Sequence, residues 1–417
     1  MNRTQTAYRI RDQIDSFLGI VYPHFSRPLC KFLQQMLFGM QASEDIKLSN
    51  IGRALDEPIS LKKTEERLSR NLKAPELDKT LNEIVAREAA SRIHKDSLII
   101  VDPTDIRKEY AEKMPFLARI RDGSRKELAN GYSGCMAVAC RPGKRTMVPL
   151  HLRMWSSEAP DFVSENHQIL EVIRTISEAT SQRGIYVIDR GGDRKNLIEP
   201  IMDQGNRFII RLVGNRNLQF GNREFLAENI AGGCRTSHIE HIIRETSEGE
   251  KIHKLEFGMR KVRMPGREED LYLVVVHGFG EKPLMLLTNV KLTHSRKSLW
   301  RIVEGYLSRW LVEEAIRFAK QSYNLEDIRV LDWQRLKNMM GILLLSLYFL
   351  SVHLGVNLRM TILSGHIVTA AKRFYGVSEF CYYALADGVS SLLSRISPKQ
   401  PPPKPQESPQ TILPGFT

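Results

Sequence analysis

Apolar residues recur at helical spacing near the start of the chain, at Ile14, Phe17 and Leu18 and again at Phe32, Leu33, Met36 and Leu37. That period predicts helices over residues 1–95. Ser43 and Ser60 are placed to cap two more, the first carrying Ile46 and Ile51. The break at Asp56-Glu57-Pro58 between them has helix-turn-helix proportions. From Ser97 the pattern changes to strands. Residues 97–101 (SLIIV), 134–140 and 147–154 read as strands, 162–181 as a helix, 185–188 as a strand, 196–202 as a helix and 207–213 as a strand. This order predicts an α/β fold with a mixed sheet. Strand-like runs continue at 252–264, where charged and apolar residues alternate, and at 271–276 and 284–287. Residues 339–358 approach the length of a membrane span. His353 and Asn357 interrupt that run and a charged helix precedes it, so a buried core helix is expected.

One amphipathic stretch changes the picture. Taken as a single helix, residues 306–320 place Tyr306, Arg309, Glu313 and Lys320 within roughly 60° of one another over roughly 21 Å. Leu307, Leu311, Ala315 and Phe318 fall on the opposite side. The face presents one acid among two cations and a phenol, which suits work on phosphate; an ordinary solvated helix face has the same appearance.

The charge points the same way. The 417 residues carry a formal charge of +13, which favours a polyanionic partner. The second helix of the helix-turn-helix carries Lys62, Lys63 and Arg67, placed to lie against DNA. A basic, glycine-containing segment at 119–126 adds Arg121 and Arg125 as candidate phosphate contacts. The five cysteines are scattered without a CxxC pair, so no zinc or disulfide framework is legible, and a reducing cytosol is expected. No apolar signal segment is apparent in the first twenty residues.

Asp102 and Asp189 each follow an apolar strand-like run, the position outside strand ends where α/β sheets place reactive groups. Asp105 and Asp193 are close rivals, and spacing does not separate them. Glu313 comes 124 residues after Asp189, too far for one uninterrupted α/β repeat. Three carboxylates suit a pair of Mg²⁺ or Mn²⁺ ions, which take oxygen ligands and activate a water or 3′-hydroxyl beside phosphate. Arg309 would grip phosphate as a planar fork and Lys320 as a point charge.

The Y-x2-R-x3-E-x6-K spacing of Tyr306, Arg309, Glu313 and Lys320, with VDPTDI around Asp102, VIDRGGDRKNL around Asp189 and then RFIIRLVGNRN, resembles the insertion-sequence DDE transposases of the fourth-numbered family. The resemblance spans about residues 45–340. It implies a ribonuclease-H-like core with Asp102, Asp189 and Glu313 as catalytic metal ligands for Mg²⁺ or Mn²⁺. Tyr306, Arg309 and Lys320 would then contact the DNA end. It further implies double-stranded DNA as partner, cleavage at terminal inverted repeats, strand transfer, a homodimer or larger synaptic complex, and a cytoplasmic, nucleoid-associated place in a bacterial or archaeal cell. The expected division is a helical DNA-binding domain at 1–95, a core at 96–214 and 291–360, a β-rich insertion domain at 215–290, a helical region at 361–396 and a disordered tail at 397–417. The competing expectations are a ribonuclease-H-like nuclease or resolvase without strand transfer, and a non-catalytic DNA-binding derivative.

Overall fold

A computed structural model describes residues 2–121, 123, 127–144, 146–246, 249–366 and 380–398. Helices α1 (Arg3–Val21), α2 (Arg27–Ser43), α3 (Leu48–Ala54), α4 (Leu61–Asn71) and α5 (Leu77–Ala89) come first. Ser43 does not open a helix as expected. It is the last residue of α2, and its hydroxyl donates to the Gly39 carbonyl at 2.8 Å. The buried Asp45 organises the next start instead, accepting the Lys47 N–H and the Asn50 amide at 2.7 Å each. Ser60 stands at the N-cap of α4, without a side-chain capping bond.

The sheet is built around β1 (Leu98–Arg107), a strand twice as long as the apolar run that announces it. β3 (Leu128–Cys140) pairs antiparallel with one edge of β1 along its whole length. The far edge of β3 takes β2 (Ala118–Arg121) at one end and β4 (Val148–Trp155) at the other. After α6 (Glu165–Thr180), the short β5 (Ile185–Ile188) pairs parallel with the other edge of β1. α7 (Lys195–Asp203) then crosses over to β6 (Arg207–Arg211), parallel to β5. Parallel neighbours need such a crossover. Three antiparallel strands, β4, β3 and β1, followed by two parallel ones, β5 and β6, form a ribonuclease-H-like α/β core.

The β-rich stretch does not stand apart from this sheet. β7 (Asn217–Phe220) and β8 (Arg223–Leu226) form a separate hairpin, followed by α8 (Ala227–Gly232). β9 (His238–Thr246), β10 (Gly249–Val262), β11 (Leu271–His277) and β12 (Leu284–Thr288) continue the core sheet through an antiparallel β12–β6 pairing. The full order is β2-β3-β1-β5-β6-β12-β11-β10-β9, with β4 beside β3. One continuous apolar cluster runs beneath it all.

α9 (Arg296–Leu307) packs on β5 and β6, and α10 (Trp310–Ser322) on β1 and β3. α11 (Trp333–Tyr348) lies against α5 and β4. With the π-turn that follows, Trp333–His353 is apolar and long enough to cross a membrane, yet 83% of its most apolar stretch is buried inside the protein. Its one fully buried amide, Asn338, donates to the carbonyls of Leu72 and Ala74 and accepts from the Asp78 N–H, tying the helix to the start of α5. A buried polar group held this way costs little. α12 (Val356–His366) and α13 (Tyr382–Leu393) follow; the tail beyond residue 398 lies outside the described residues.

Candidate active site

Two strand registers bring the first charged groups together. Leu98 pairs with Ile185 and Ile100 with Val187, while Ile185 pairs with Arg207 and Ile188 with Ile210. Extending both registers along the strands places Asp102, Asp189 and Arg211 side by side on β1, β5 and β6. Side chains two apart share a face, so Asp102 follows Leu98 and Ile100 onto the side covered by α9 and α10. Asp102 is not at the end of its strand, as its run of sequence suggests. It is inside β1, opposite Met136, just beyond the short parallel pairing with β5. Asp189 does end its strand. The chain turns at once through Arg190–Gly192, with the Gly192 N–H donating to the Asp189 carbonyl at 2.7 Å. A side chain at Gly192 would put its Cβ 2.6 Å from Ile188 Cγ2, so this tight turn requires glycine.

The expected continuous helix over 306–320 is two helices. α9 stops at Leu307, and Ser308 and Arg309 form a turn before α10 begins at Trp310. The Ser308 hydroxyl donates to the Glu304 carbonyl at 2.9 Å, a back-bond that bends helices. Around it the N–H groups of Arg309, Leu311 and Val312 reach carbonyls only three residues back. Gly305 lets α9 settle onto the sheet: a Cβ there would stand 3.2 Å from both Ile209 and Leu98 side-chain atoms. Its neighbour Tyr306 is therefore buried, and its hydroxyl donates to Asp189 Oδ1 at 2.7 Å.

Beyond the bend, Arg309 turns into the acids. Its guanidinium lies 2.5 Å from Glu313 Oε1 and 3.7 Å from Asp102 Oδ2. Arg211 reaches Asp189 Oδ1 at 3.9 Å. The two aspartates respond in opposite directions. Burial pushes the Asp102 carboxyl up to about 7; Arg309 opposes that, while the charges of Glu313 and Asp189 add to it. Burial also acts on Asp189, but the Tyr306 hydroxyl, the Arg190 N–H, Arg309 and Arg211 outweigh it and hold the carboxyl below the usual range. Tyr306 is itself pushed up to about 12 by burial and by Asp189, so its hydroxyl keeps its proton. Pairs of groups whose environments drive their pKa values apart mark functional sites.

The rival aspartates have other partners. The Asp193 side chain is buried, accepts the Val213 N–H at 2.8 Å and is clamped by Arg216, which fixes the loop after β6. Asp105 holds Lys320 at 3.1 Å, and Glu326 holds the same ammonium at 2.9 Å. Lys320 thus sits farther along β1, away from the Asp102–Asp189 pair. In α4, Lys62 and Lys63 are exposed, whereas Arg67 is taken up by the buried carboxylate side chain of Glu57 at 2.5 Å. Arg121 is exposed on β2; Arg125 lies outside the described residues. Sequence reading missed Arg211. A cation closing an apolar strand (RFIIR) is a visible signal, but only the register shows that it faces Asp189.

No three His, Cys, Asp or Glu side chains among the described residues are gathered closely enough to hold a metal ion. The donors nevertheless suit a hard divalent cation, because all are carboxylate oxygens. In this arrangement Arg309 supplies the counter-charge.

A mixed sheet of ribonuclease-H-like order, with aspartates level on its two central strands and an acid arriving from a covering helix, defines the class of fold and site. The family described as Transposase DDE domain matches residues 93–349, more than half of the chain, and the chain belongs to that family. It is a transposase, and transposase domains of this kind are generally divalent-metal dependent. No curated protein matches the sequence. Among solved structures, the chain is similar to a piggyBac transposase in a cryo-EM synaptic complex with hairpin DNA. The two are 10% identical, the match covers 95% of this chain and 80% of that one, and the TM-score is 0.45.

Proposed function

We propose that this chain is a DNA transposase of the fourth-numbered insertion-sequence family, acting on terminal inverted repeats by metal-dependent cleavage and strand transfer. Asp102, Asp189 and Glu313 are its metal ligands, for Mg²⁺ or Mn²⁺. The bound ions would activate water for cleavage and a 3′-hydroxyl for joining. Tyr306 orients Asp189 and helps to stabilise its ionised form. Arg309 and Lys320 grip phosphates flanking the scissile bond, and Arg211 stands where it can join them. Lys62, Lys63 and Arg121 extend the contact with duplex DNA, and two copies or more act together on paired ends.

The observation that carries this reading is the lateral alignment of Asp102 with Asp189, facing an Arg309 that is shared with Glu313. Its test is an end-cleavage and strand-transfer assay with Mg²⁺ or Mn²⁺ on DNA bearing the inverted repeats that flank the reading frame. Wild-type protein should give joined product, and Asp189→Ala should bind the ends but leave them uncut. Cleavage by Asp189→Ala would remove the assignment. Cleavage without joining by the wild type would favour a nuclease or resolvase.

A further inference from the structure

Resting on the metal-site reading above, we infer that Arg309 is the stand-in cation of the carboxylate centre, so that loading a divalent ion and freeing Arg309 for DNA are one event. Its guanidinium bridges Glu313 at 2.5 Å and Asp102 at 3.7 Å. Its side chain is only 20% exposed, so this is a sheltered position within the site. Glu313 is 44% exposed and turned to Arg309, so its carboxylate is spent on the guanidinium in this state.

The same arrangement repeats along the site. Lys320 is held by Asp105 and Glu326, and the Tyr306 hydroxyl is committed to Asp189. Tyr306, Arg309 and Lys320 therefore each rest on a carboxylate. Arg309 is the one of these three that contacts two of the proposed ligands, Glu313 and Asp102. A divalent ion between Asp102 and Glu313 would repel the guanidinium from both, and the nearest new partner for a planar fork is a phosphate. Two ligands that each favour the same minor arrangement bind with positive coupling. Metal loading and DNA binding should accordingly reinforce one another through Arg309.

The test uses the full chain without DNA and reads Mn²⁺ uptake by electron paramagnetic resonance of the free ion. If Arg309 holds the site for most of the time, Arg309→Gln should take up Mn²⁺ about tenfold more tightly than wild type. Arg309→Lys, which keeps the charge but cannot span both acids, should fall between them. In a structure of the Mn²⁺-loaded wild type, the Arg309–Glu313 contact should be open. Equal affinity in wild type and Arg309→Gln, or Mn²⁺ bound with Arg309 still on Glu313, would overturn the stand-in role and leave the metal site in place. Mn²⁺ uptake unchanged in Asp102→Asn and Asp189→Asn, or absent from wild type and Arg309→Gln alike, would overturn the metal site and the stand-in role together.

Discussion

The Tyr306 hydroxyl and Asp189 Oδ1 lie 2.7 Å apart, joining the last turn of α9 to the end of β5 across 117 residues of sequence. The bond helps hold Asp189 below the usual carboxylate range. A depressed folded-state pKa contributes stability that is present above the unfolded value near 3.8 and is lost as pH falls through the folded one. Tyr306→Phe should therefore cost about 1.5 kcal/mol near pH 7, as for a hydrogen bond to a charged group. The cost should shrink in acid, where Asp189 takes up its proton. Urea unfolding at a series of pH values checks this, and a penalty independent of pH would argue that the hydroxyl does not support the ionised carboxylate.

Asp102 has the opposite sign. Its folded-state carboxyl is raised from 3.8 to about 7, so folding favours the protonated form. That contribution is complete below pH 3.8 and disappears as pH rises through 7. In metal-free protein, Asp102→Asn should be no more stable than wild type in acid. At pH 8 it should be more stable, by on the order of 2 kcal/mol. Metal uptake by the wild type should release a proton and strengthen with pH until about 7. Thermal melts and calorimetry in two buffers read both effects.

Asp193 separates structure from chemistry. Removing its carboxyl leaves Arg216, 12% exposed, without its buried partner. Asp193→Ala should destabilise the fold by about 3–5 kcal/mol, as expected for breaking a buried pair. Denaturation midpoints for Asp193→Ala and Asp189→Asn compared side by side should show the larger loss at Asp193.

Gly305 sets the distance between α9 and the sheet. Gly305→Val places side-chain atoms against Ile209 and Leu98, where a Cβ alone already stands 3.2 Å away. Overpacking of this kind costs about 1–3 kcal/mol. It should also lift Tyr306 from Asp189, so cleavage should fall further than in Tyr306→Phe. Parallel melting and end-cleavage assays measure the two losses.

DNA affinity should be dominated by phosphate contacts. Between about 50 and 200 mM salt it should fall by roughly 10³–10⁵-fold for six to ten contacts. Arg309→Lys should impair cleavage despite its preserved charge, because the planar fork is lost. Filter binding across a salt series and single-turnover cleavage test the two statements, and a flat salt response would count against a nucleic-acid partner.

Much of this architecture was legible before folding. Continuous apolar runs located β5 and β6, which are buried on both faces, and helical spacing located α6, α7 and the buried stretch of α11, because burial leaves its pattern in the sequence. The capping role of Ser43 was misread because a serine at the end of a helix can bond backward as well as forward. β1 was read short, because its second half carries Asp102, Asp105 and Arg107, polar side chains that the apolar signal omits. The bend at Ser308 was invisible in an amphipathic pattern that continues through it.

The sequence by itself determined the kinds of residue at the site and the segments that bear them: two aspartates after apolar runs, and an acid and cations at helical spacing. Only the tertiary structure decided which aspartates meet. Register is set by backbone pairing between strands far apart in the chain, and a single set of pairings puts Asp102, Asp189 and Arg211 on one level. The close seat of α9 at Gly305 then brings Tyr306 down to Asp189, and the bend turns Arg309 between Asp102 and Glu313. Those distances follow from packing among distant segments, which no local pattern encodes.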